Sequence, residues 1–191
     1  TINIHILKCD IKKFFDSIDQ KILLGIIKRK IQDENVVRLI RKILESFEKE
    51  EGKGLPLGNV TSQLFANVYL NELDQFVKHK LKARYYIRYC DDFVISGEDK
   101  KGLLFNSAKI DGFLKDKLGL SLHQDKIIVR KYRQGIDFLG YATLPYHRVL
   151  RYKTKRRIFK KLAKKKGLLK QNLISDYSFN SNDCFCSYLF W

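Results

Sequence analysis

The sequence predicts an α+β fold, in which an antiparallel sheet is backed by helices. Three observations indicate this class. Residues 4–11 alternate between apolar and polar side chains, as a half-buried strand does. Residues 84–96 form two aromatic and β-branched runs around adjacent acids, which is typical of a hairpin. The segments between and after them carry apolar residues at helical spacing.

The first predicted strand carries an acid on its open side. Leu7, Cys9 and Ile11 share one face of this strand, and Asp10 lies on the other. The first face is apolar and is expected to be buried. The Asp10 carboxylate is therefore expected on the open face of the sheet.

Four helices are predicted from the apolar spacing. They span residues 22–31, 36–47, 60–81 and 103–118. Ser17 or Asp19 can cap the first helix, and Gly119 can end the last one. The buried stripe of the third helix is expected to contain Leu64, Val68, Leu73, Val77 and Leu81.

The last part of the chain is predicted to form short strands over residues 120–145 and a basic helix over residues 151–170. No acid interrupts that helix, and four apolar residues give it a seam for packing: Ile158, Phe159, Leu162 and Ala163. The whole chain has a formal net charge of +17. We therefore expect a nucleic acid as its partner, with a merely solvated basic face as the alternative.

The composition is that of a folded, non-membrane chain, with 45% hydrophobic and 31% charged residues and no run long enough to span a bilayer. Cys9 and Cys90 lie in predicted strands, and Cys184 and Cys186 form an isolated C-x-C pair. Neither a disulfide frame nor a zinc site is expected, which fits a reducing cytoplasm. Methionine is absent even at position 1, so we expect a segment of a longer protein.

Two adjacent acids, Asp91 and Asp92, stand at the predicted hairpin tip, where their charges repel unless a cation neutralises them. Carboxylate oxygens in such a place suit Mg²⁺. If the first strand lies beside the hairpin, Asp10 joins them, and two bound ions form a clamp for phosphoryl transfer. A solvated Asp-Asp turn is the alternative for the pair by itself.

Four segments resemble, in order, the successive palm motifs of reverse transcriptases. They are residues 10–15 (DIKKFF), 55–63 (LPLGNVTSQ), 89–92 (YCDD) and 138–141 (FLGY). The resemblance covers roughly residues 5–145 and implies a right-hand polymerase palm with partial fingers and the start of a helical thumb. It assigns residues 1–150 to the palm with partial fingers and residues 151–191 to the start of the basic thumb.

The resemblance also implies the metal ligands. Asp10 and Asp91 are similar to the principal catalytic ligands of the family, with Asp92 as a weaker third and the backbone carbonyl of Ile11 as a further ligand. They would hold two Mg²⁺ ions, for which Mn²⁺ can substitute.

The nucleotide and primer contacts follow from the same resemblance. Phe15 resembles the gate that rejects a ribose 2′-hydroxyl, with a core aromatic as the alternative. Leu57 and Gly58 resemble residues beside the incoming nucleotide, and Lys126 resembles a lysine near the triphosphate, with a surface lysine as the alternative. Residues similar to the primer grip, or expected to contact primer and template, are Phe138, Leu139, Gly140, Tyr141, Arg156, Arg157 and Lys160. The implied partners are an RNA template, a DNA or RNA primer and dNTPs.

Leu57 departs from the pattern of most reverse transcriptases, which carry glutamine there. The segment Leu57–Gln63 resembles diversity-generating retroelement reverse transcriptases, which copy an RNA template with errors at adenines alongside a small basic accessory protein. A prokaryotic or phage origin would follow. The alternatives are a group II intron-like reverse transcriptase or maturase, a non-catalytic RNA-binding module and, more distantly, a nucleotidyl cyclase.

Overall fold

The computed structural model describes residues 4–46, 52–56 and 58–170, and for residues 165 and 168–170 it describes the backbone alone. The chain divides into two compact units, with the boundary between Gln134 and Gly135. In the part of the chain so described, no helix is both long enough and apolar enough to cross a bilayer.

The first unit is built on a four-stranded antiparallel sheet with the strand order β2-β3-β1-β4. The strands are β1 (His5–Asp10), β2 (Tyr85–Tyr89), β3 (Asp92–Gly97) and β4 (Ile128–Lys131). β1 is therefore a central strand that lies beside the hairpin, as the sequence requires if its three acids are to meet.

Helices cover one face of this sheet. They are α1 (Phe14–Ser17), α2 (Gln20–Lys28), α3 (Glu34–Glu45), α4 (Val60–Gln75) and α5 (Lys100–Leu118). The Asp19 side chain caps α2, and Gly119 ends α5 in the left-handed conformation, as predicted. The predicted third helix is present, but its last turn, Phe76–Lys80, is π-helical.

The core lies between the sheet and these helices. Leu7, Cys9 and Ile11 are buried on the helix side of β1, which confirms the predicted faces of that strand. The prediction for Leu64 is wrong, because this side chain is exposed. The buried stripe of α4 runs through Phe65, Ala66, Tyr69, Leu70 and Leu73, so the prediction holds for Leu73 and is one residue off at Leu64. Either choice satisfies helical spacing, and packing against α2 and α5 selects the stripe that contains Phe65 and Tyr69.

The second unit holds a small antiparallel sheet of β5 (Ile136–Phe138), β6 (Tyr141–Thr143) and β7 (Arg148–Leu150), followed by α6 (Tyr152–Lys170). β7 was not predicted. The predicted basic helix is confirmed. Its apolar packing face is narrower than predicted, because Ile158 and Leu162 are half-buried whereas Phe159 and Ala163 are exposed.

Removal of one buried hydroxyl tests the junction of α4 with the end of α5. The Tyr69 hydroxyl donates a 2.6 Å hydrogen bond to the Leu118 carbonyl in a buried setting. Tyr69→Phe leaves that carbonyl without its donor, so we expect urea denaturation to show a loss of about 1–3 kcal/mol of unfolding free energy. The control is Tyr85→Phe at an exposed ring, where a change within about 0.5 kcal/mol is expected. Equal effects of the two substitutions would contradict this assignment.

Candidate active site

The three predicted acids lie at one end of the first sheet. Asp10 and Asp92 are direct partners in the β1–β3 register, so their side chains share the open face. Asp91 occupies the adjoining two-residue turn with Cys90, and its carbonyl accepts a 3.3 Å hydrogen bond from the Ile11 backbone amide. The sequence placed both acids in the turn, whereas Asp92 is the first residue of β3.

The turn that carries Asp91 has an uncommon backbone. Cys90 has a φ of 50°, in the left-handed region that a non-glycine side chain disfavours. A two-residue hairpin loop needs a positive φ at its first central position or at both, because only such turns match the twist of the strands. The conformation of Cys90 is thus the local consequence of connecting Tyr89 to Asp92 with two residues.

Two lysines compensate the charge of the acids. Lys126 Nζ lies 3.0 Å from Asp10 Oδ1, and Lys8 Nζ lies 3.5 Å from Asp92 Oδ2. Lys8 was not singled out from the sequence, although its position two residues before Asp10 puts it on the same face. Burial raises the pKa of Asp91, and repulsion from Asp10 and Asp92 raises it further, against the attraction of Lys126.

The backbone that follows α5 brings Lys126 to the acids. The amide of Lys12 donates to the Ser121 carbonyl at 2.9 Å, and the amide of His123 donates to the Asp10 carbonyl at 2.8 Å. A short 3₁₀ turn, Gln124–Lys126, then aims the lysine back at Asp10. The resemblance placed Lys126 near a triphosphate, and the structure puts it at the acids.

The donor set at the acids suits a hard divalent cation, because it consists of carboxylate oxygens. One of them, Asp92 Oδ1, is buried without a hydrogen-bond partner in the described part of the chain, so its acceptor capacity is unused there. Nevertheless, among residues 4–46, 52–56 and 58–170 no three His, Cys, Asp or Glu side chains are already gathered into a metal-binding group.

Of the residues predicted to contact the incoming nucleotide, Phe15, Gly58 and Lys126 lie in the described part of the chain. Phe15 is half-buried, with its ring edge-on to Phe14 at 5.2 Å between centroids. Its carbonyl accepts a 2.8 Å hydrogen bond from the Leu55 amide, which ties it to the segment leading to Gly58. Gly58 has a φ of 94°, and a Cβ atom at this position would meet nothing within 4 Å, so its surroundings are open. Leu57 lies outside the described residues.

The predicted primer-grip residues form a hairpin of the second unit. Phe138 and Tyr141 are paired across a two-residue turn in which Leu139 and Gly140 both have positive φ. The Tyr141 ring lies under the Arg148 guanidinium, 4.6 Å from the ring centroid. The Gly140 carbonyl accepts a 2.9 Å hydrogen bond from the Arg151 amide. Three predicted nucleic-acid contacts of α6 are exposed: Arg156, Arg157 and Lys160.

The polar contacts that attach β2, the strand before the acid turn, to helix α4 were not predicted from the sequence. Arg88 and Tyr86 face the helices, where both bond the Asp74 carboxylate of α4. Burial acts to lower the pKa of Arg88, but the hydrogen bond and charge of Asp74 outweigh it and the pKa is raised. Strand alternation could have assigned Arg88 to the buried face, but nothing in the sequence identifies its partner.

Comparison with known proteins identifies the family. A profile of the family described as reverse transcriptase (RNA-dependent DNA polymerase) matches residues 2–143. The chain belongs to the reverse transcriptase family. This reverse transcriptase domain includes Asp10, Asp91, Asp92, Gly58 and Lys126 within the matched range.

Curated relatives of this reverse transcriptase domain include intron-encoded proteins. It is 27% identical to the group II intron-encoded protein LtrA of Lactococcus lactis, over 69% of this chain and 33% of that protein. It is 24% identical to the putative COX1/OXI3 intron 2 protein of Saccharomyces cerevisiae, over 71% of this chain and 23% of that protein. The chain thus spans a third or less of the length of these two relatives.

Solved structures share the fold. The apo telomerase from Candida tropicalis matches with a TM-score of 0.61 at 15% identity, over 78% of this chain and 33% of that one. The telomerase from Candida albicans in complex with a fragment of telomeric RNA matches with a TM-score of 0.55 at 15% identity, over 73% of this chain and 30% of that one. The palm-type α+β fold predicted from the sequence is confirmed.

Replacing Asp91 tests the electrostatic strain at the acids. Because its pKa is raised in the folded state, the ionised carboxylate destabilises the fold once the pH exceeds its ordinary pKa of 3.8. We expect Asp91→Asn to raise the thermal midpoint at pH 7 in EDTA, with the gain shrinking as the pH falls toward 3.8. The control is Asp116→Asn at an exposed site of α5. A pH-independent gain, or one matched by the control, would refute the electrostatic cause.

Proposed function

We propose that this chain is the palm of an RNA-directed DNA polymerase that copies an RNA template into cDNA by two-metal nucleotidyl transfer. The observation that carries the proposal is the direct pairing of Asp10 with Asp92 beside Asp91, in a chain of the reverse transcriptase family. The relatives are longer than this chain, so the activity is proposed for the whole protein that contains it.

Asp10 and Asp91 would be the main holders of Mg²⁺, with Asp92 and the Ile11 carbonyl assisting and Mn²⁺ as a substitute. Mg²⁺ held by these residues would lower the pKa of the attacking primer hydroxyl and neutralise charge on the leaving pyrophosphate. Until the acids are loaded, Lys8 and Lys126 neutralise part of their charge. Once released from Asp10, the half-exposed Lys126 would be available to a triphosphate.

Substrate choice is proposed to depend on Phe15 and Gly58. An apolar ring such as Phe15 cannot accept a ribose hydroxyl, and such a wall therefore favours dNTPs. The open space at Gly58 allows close approach of a nucleotide to the backbone. The hydrogen bond from the Leu55 amide to the Phe15 carbonyl supports placing both in one pocket.

Template and primer are proposed to be bound through the basic and aromatic surfaces. α6 is basic along its length and presents Arg156, Arg157 and Lys160 to solvent. The hairpin Phe138–Tyr141 would contact the primer end. On this proposal residues 1–150 are palm with partial fingers and residues 151–191 begin the thumb. A module that only binds RNA is disfavoured, since clustered carboxylates repel phosphate.

Two observations bear on the type of reverse transcriptase. Leu57, in place of glutamine, supports the error-prone enzyme of a diversity-generating retroelement, acting in a prokaryotic or phage-infected cytoplasm with a small basic accessory protein. The intron-encoded relatives support a second candidate, a group II intron-like reverse transcriptase. The two candidates differ in the expected fidelity opposite template adenine.

Primer extension tests the polymerase assignment. The full-length protein, with Mg²⁺, dNTPs, an RNA template and an annealed primer, is expected to make DNA. Asp91→Asn should abolish extension while salt-sensitive RNA binding persists, because it removes a metal-binding carboxylate and no basic residue. Asp116→Asn is the matched control and should extend normally. Undiminished synthesis by Asp91→Asn would overturn the metal-ligand assignment.

Sequencing of the products tests the subtype. With leucine at position 57, errors are expected to concentrate opposite template adenines, and Leu57→Gln should reduce them because a polar contact to nucleotide and template is restored. Gln63→Leu, in the same segment, controls for a general effect of substitution there. Faithful copying by the unaltered protein would favour the intron-like candidate.

A further inference from the structure

The turn that carries Asp91 is held from the buried side of the sheet by one arginine. Arg88 lies three residues before Asp91, and its side chain is only 9% exposed. Its Nη1 donates a 3.1 Å hydrogen bond to the carbonyl of Cys90, the residue with positive φ. That carbonyl belongs to the peptide group that leads directly into Asp91, so the bond fixes the orientation of the turn.

The guanidinium is itself fixed by helix α4. Its Nε and Nη2 donate to the two carboxylate oxygens of Asp74 at 2.8 and 2.6 Å, a bidentate pair. Nη1 also donates to Asn67 Oδ1 at 3.2 Å. Asn67 and Asp74 are two helical turns apart on α4 and therefore lie on the same side of it.

A second hydrogen bond holds the turn, and it comes from the residue that follows β1. The Asp91 carbonyl accepts from the Ile11 amide, next to Asp10. The two attachments hold successive carbonyls, Cys90 through Arg88 and Asp91 through Ile11. The first one connects the acid turn to the helix that begins directly after Gly58 and Asn59.

We infer that Arg88 is a positioning residue, which transmits the position of α4 through Asp74 to the Cys90 carbonyl and thereby holds Asp91 for metal binding. This inference rests on the proposed function. Arg88 itself faces away from the open face, and the hydrogen bonds of its guanidinium go to Asp74, Asn67 and the Cys90 carbonyl. Its contribution is the geometry of a ligand, as for outer residues that orient metal ligands elsewhere.

Lysine cannot replace this arginine. A guanidinium presents donors in a rigid plane, so it can bind both Asp74 oxygens and still reach the Cys90 carbonyl. An ammonium on a flexible stem keeps the charge and one contact with Asp74, but it cannot satisfy both ends in a fixed geometry. Arg88→Lys therefore separates the positioning role from the ion pair.

Mn²⁺ binding, followed by paramagnetic resonance of the free ion, tests the inference in the full-length protein. Arg88→Lys is expected to weaken Mn²⁺ binding about 10- to 100-fold, the usual effect of losing a residue that orients a metal ligand. Tyr86→Phe is the matched control: it removes a 2.7 Å hydrogen bond to the same Asp74 carboxylate and leaves the Cys90 carbonyl untouched. It should lower the stability but not the Mn²⁺ affinity.

The outcomes are distinguishable. Equal Mn²⁺ affinities of Arg88→Lys and the unaltered protein, or equal losses in Arg88→Lys and Tyr86→Phe, would overturn the positioning role. If Arg88→Lys does not fold, Asp74→Asn is measured instead, because it weakens the hydrogen bonds that hold the same guanidinium. Asp74→Asn is expected to lower the Mn²⁺ affinity by less than Arg88→Lys would. An unchanged Mn²⁺ affinity would overturn the inference. Asp91→Asn serves as the reference. If it binds Mn²⁺ as the unaltered protein does, the proposed function itself fails.

Discussion

The antiparallel pairing of β1 with β3 is the constraint on which the candidate site depends. Its register sets Asp10 opposite Asp92 on the open face. Because side chains alternate along a strand, a slip of one residue would turn Asp10 into the core. Burial of Leu7, Cys9 and Phe93 on the other face resists that slip. The apolar side of the sheet thus decides where the carboxylates meet.

Three carboxylates held close together repel one another, and two lysines from different parts of the chain offset part of this repulsion. Lys8 comes from the same strand as Asp10, whereas Lys126 is brought from 116 residues away by the backbone bonds along the end of β1. The metal binding proposed for these acids would compete with both ion pairs. Asp91 is not in an ion pair in the described part of the chain. Its pKa is raised by burial and by repulsion from the Asp10 and Asp92 carboxylates.

The local elements were predictable where one physical signal dominates. Alternation identified the faces of β1, an acidic side chain at Asp19 identified a helix start, and Gly119 identified a helix end. Leu64 was assigned wrongly because two neighbouring stripes of α4 are both apolar enough, and only packing against α2 and α5 distinguishes them. β7 is three residues long and has no periodicity to detect.

The sequence by itself determined the α+β class, the basic helix and the three acids, because alternation, charge and short motifs are properties of neighbouring residues. Only the tertiary structure decided that Lys126 reaches Asp10 and that Arg88 connects Asp74 to the Cys90 carbonyl. The Lys126–Asp10 and Arg88–Asp74 pairs join polar side chains from different elements. Hydrogen bonds and ion pairs across such separations depend on the packing of whole strands and helices, and they leave no periodic trace in the chain.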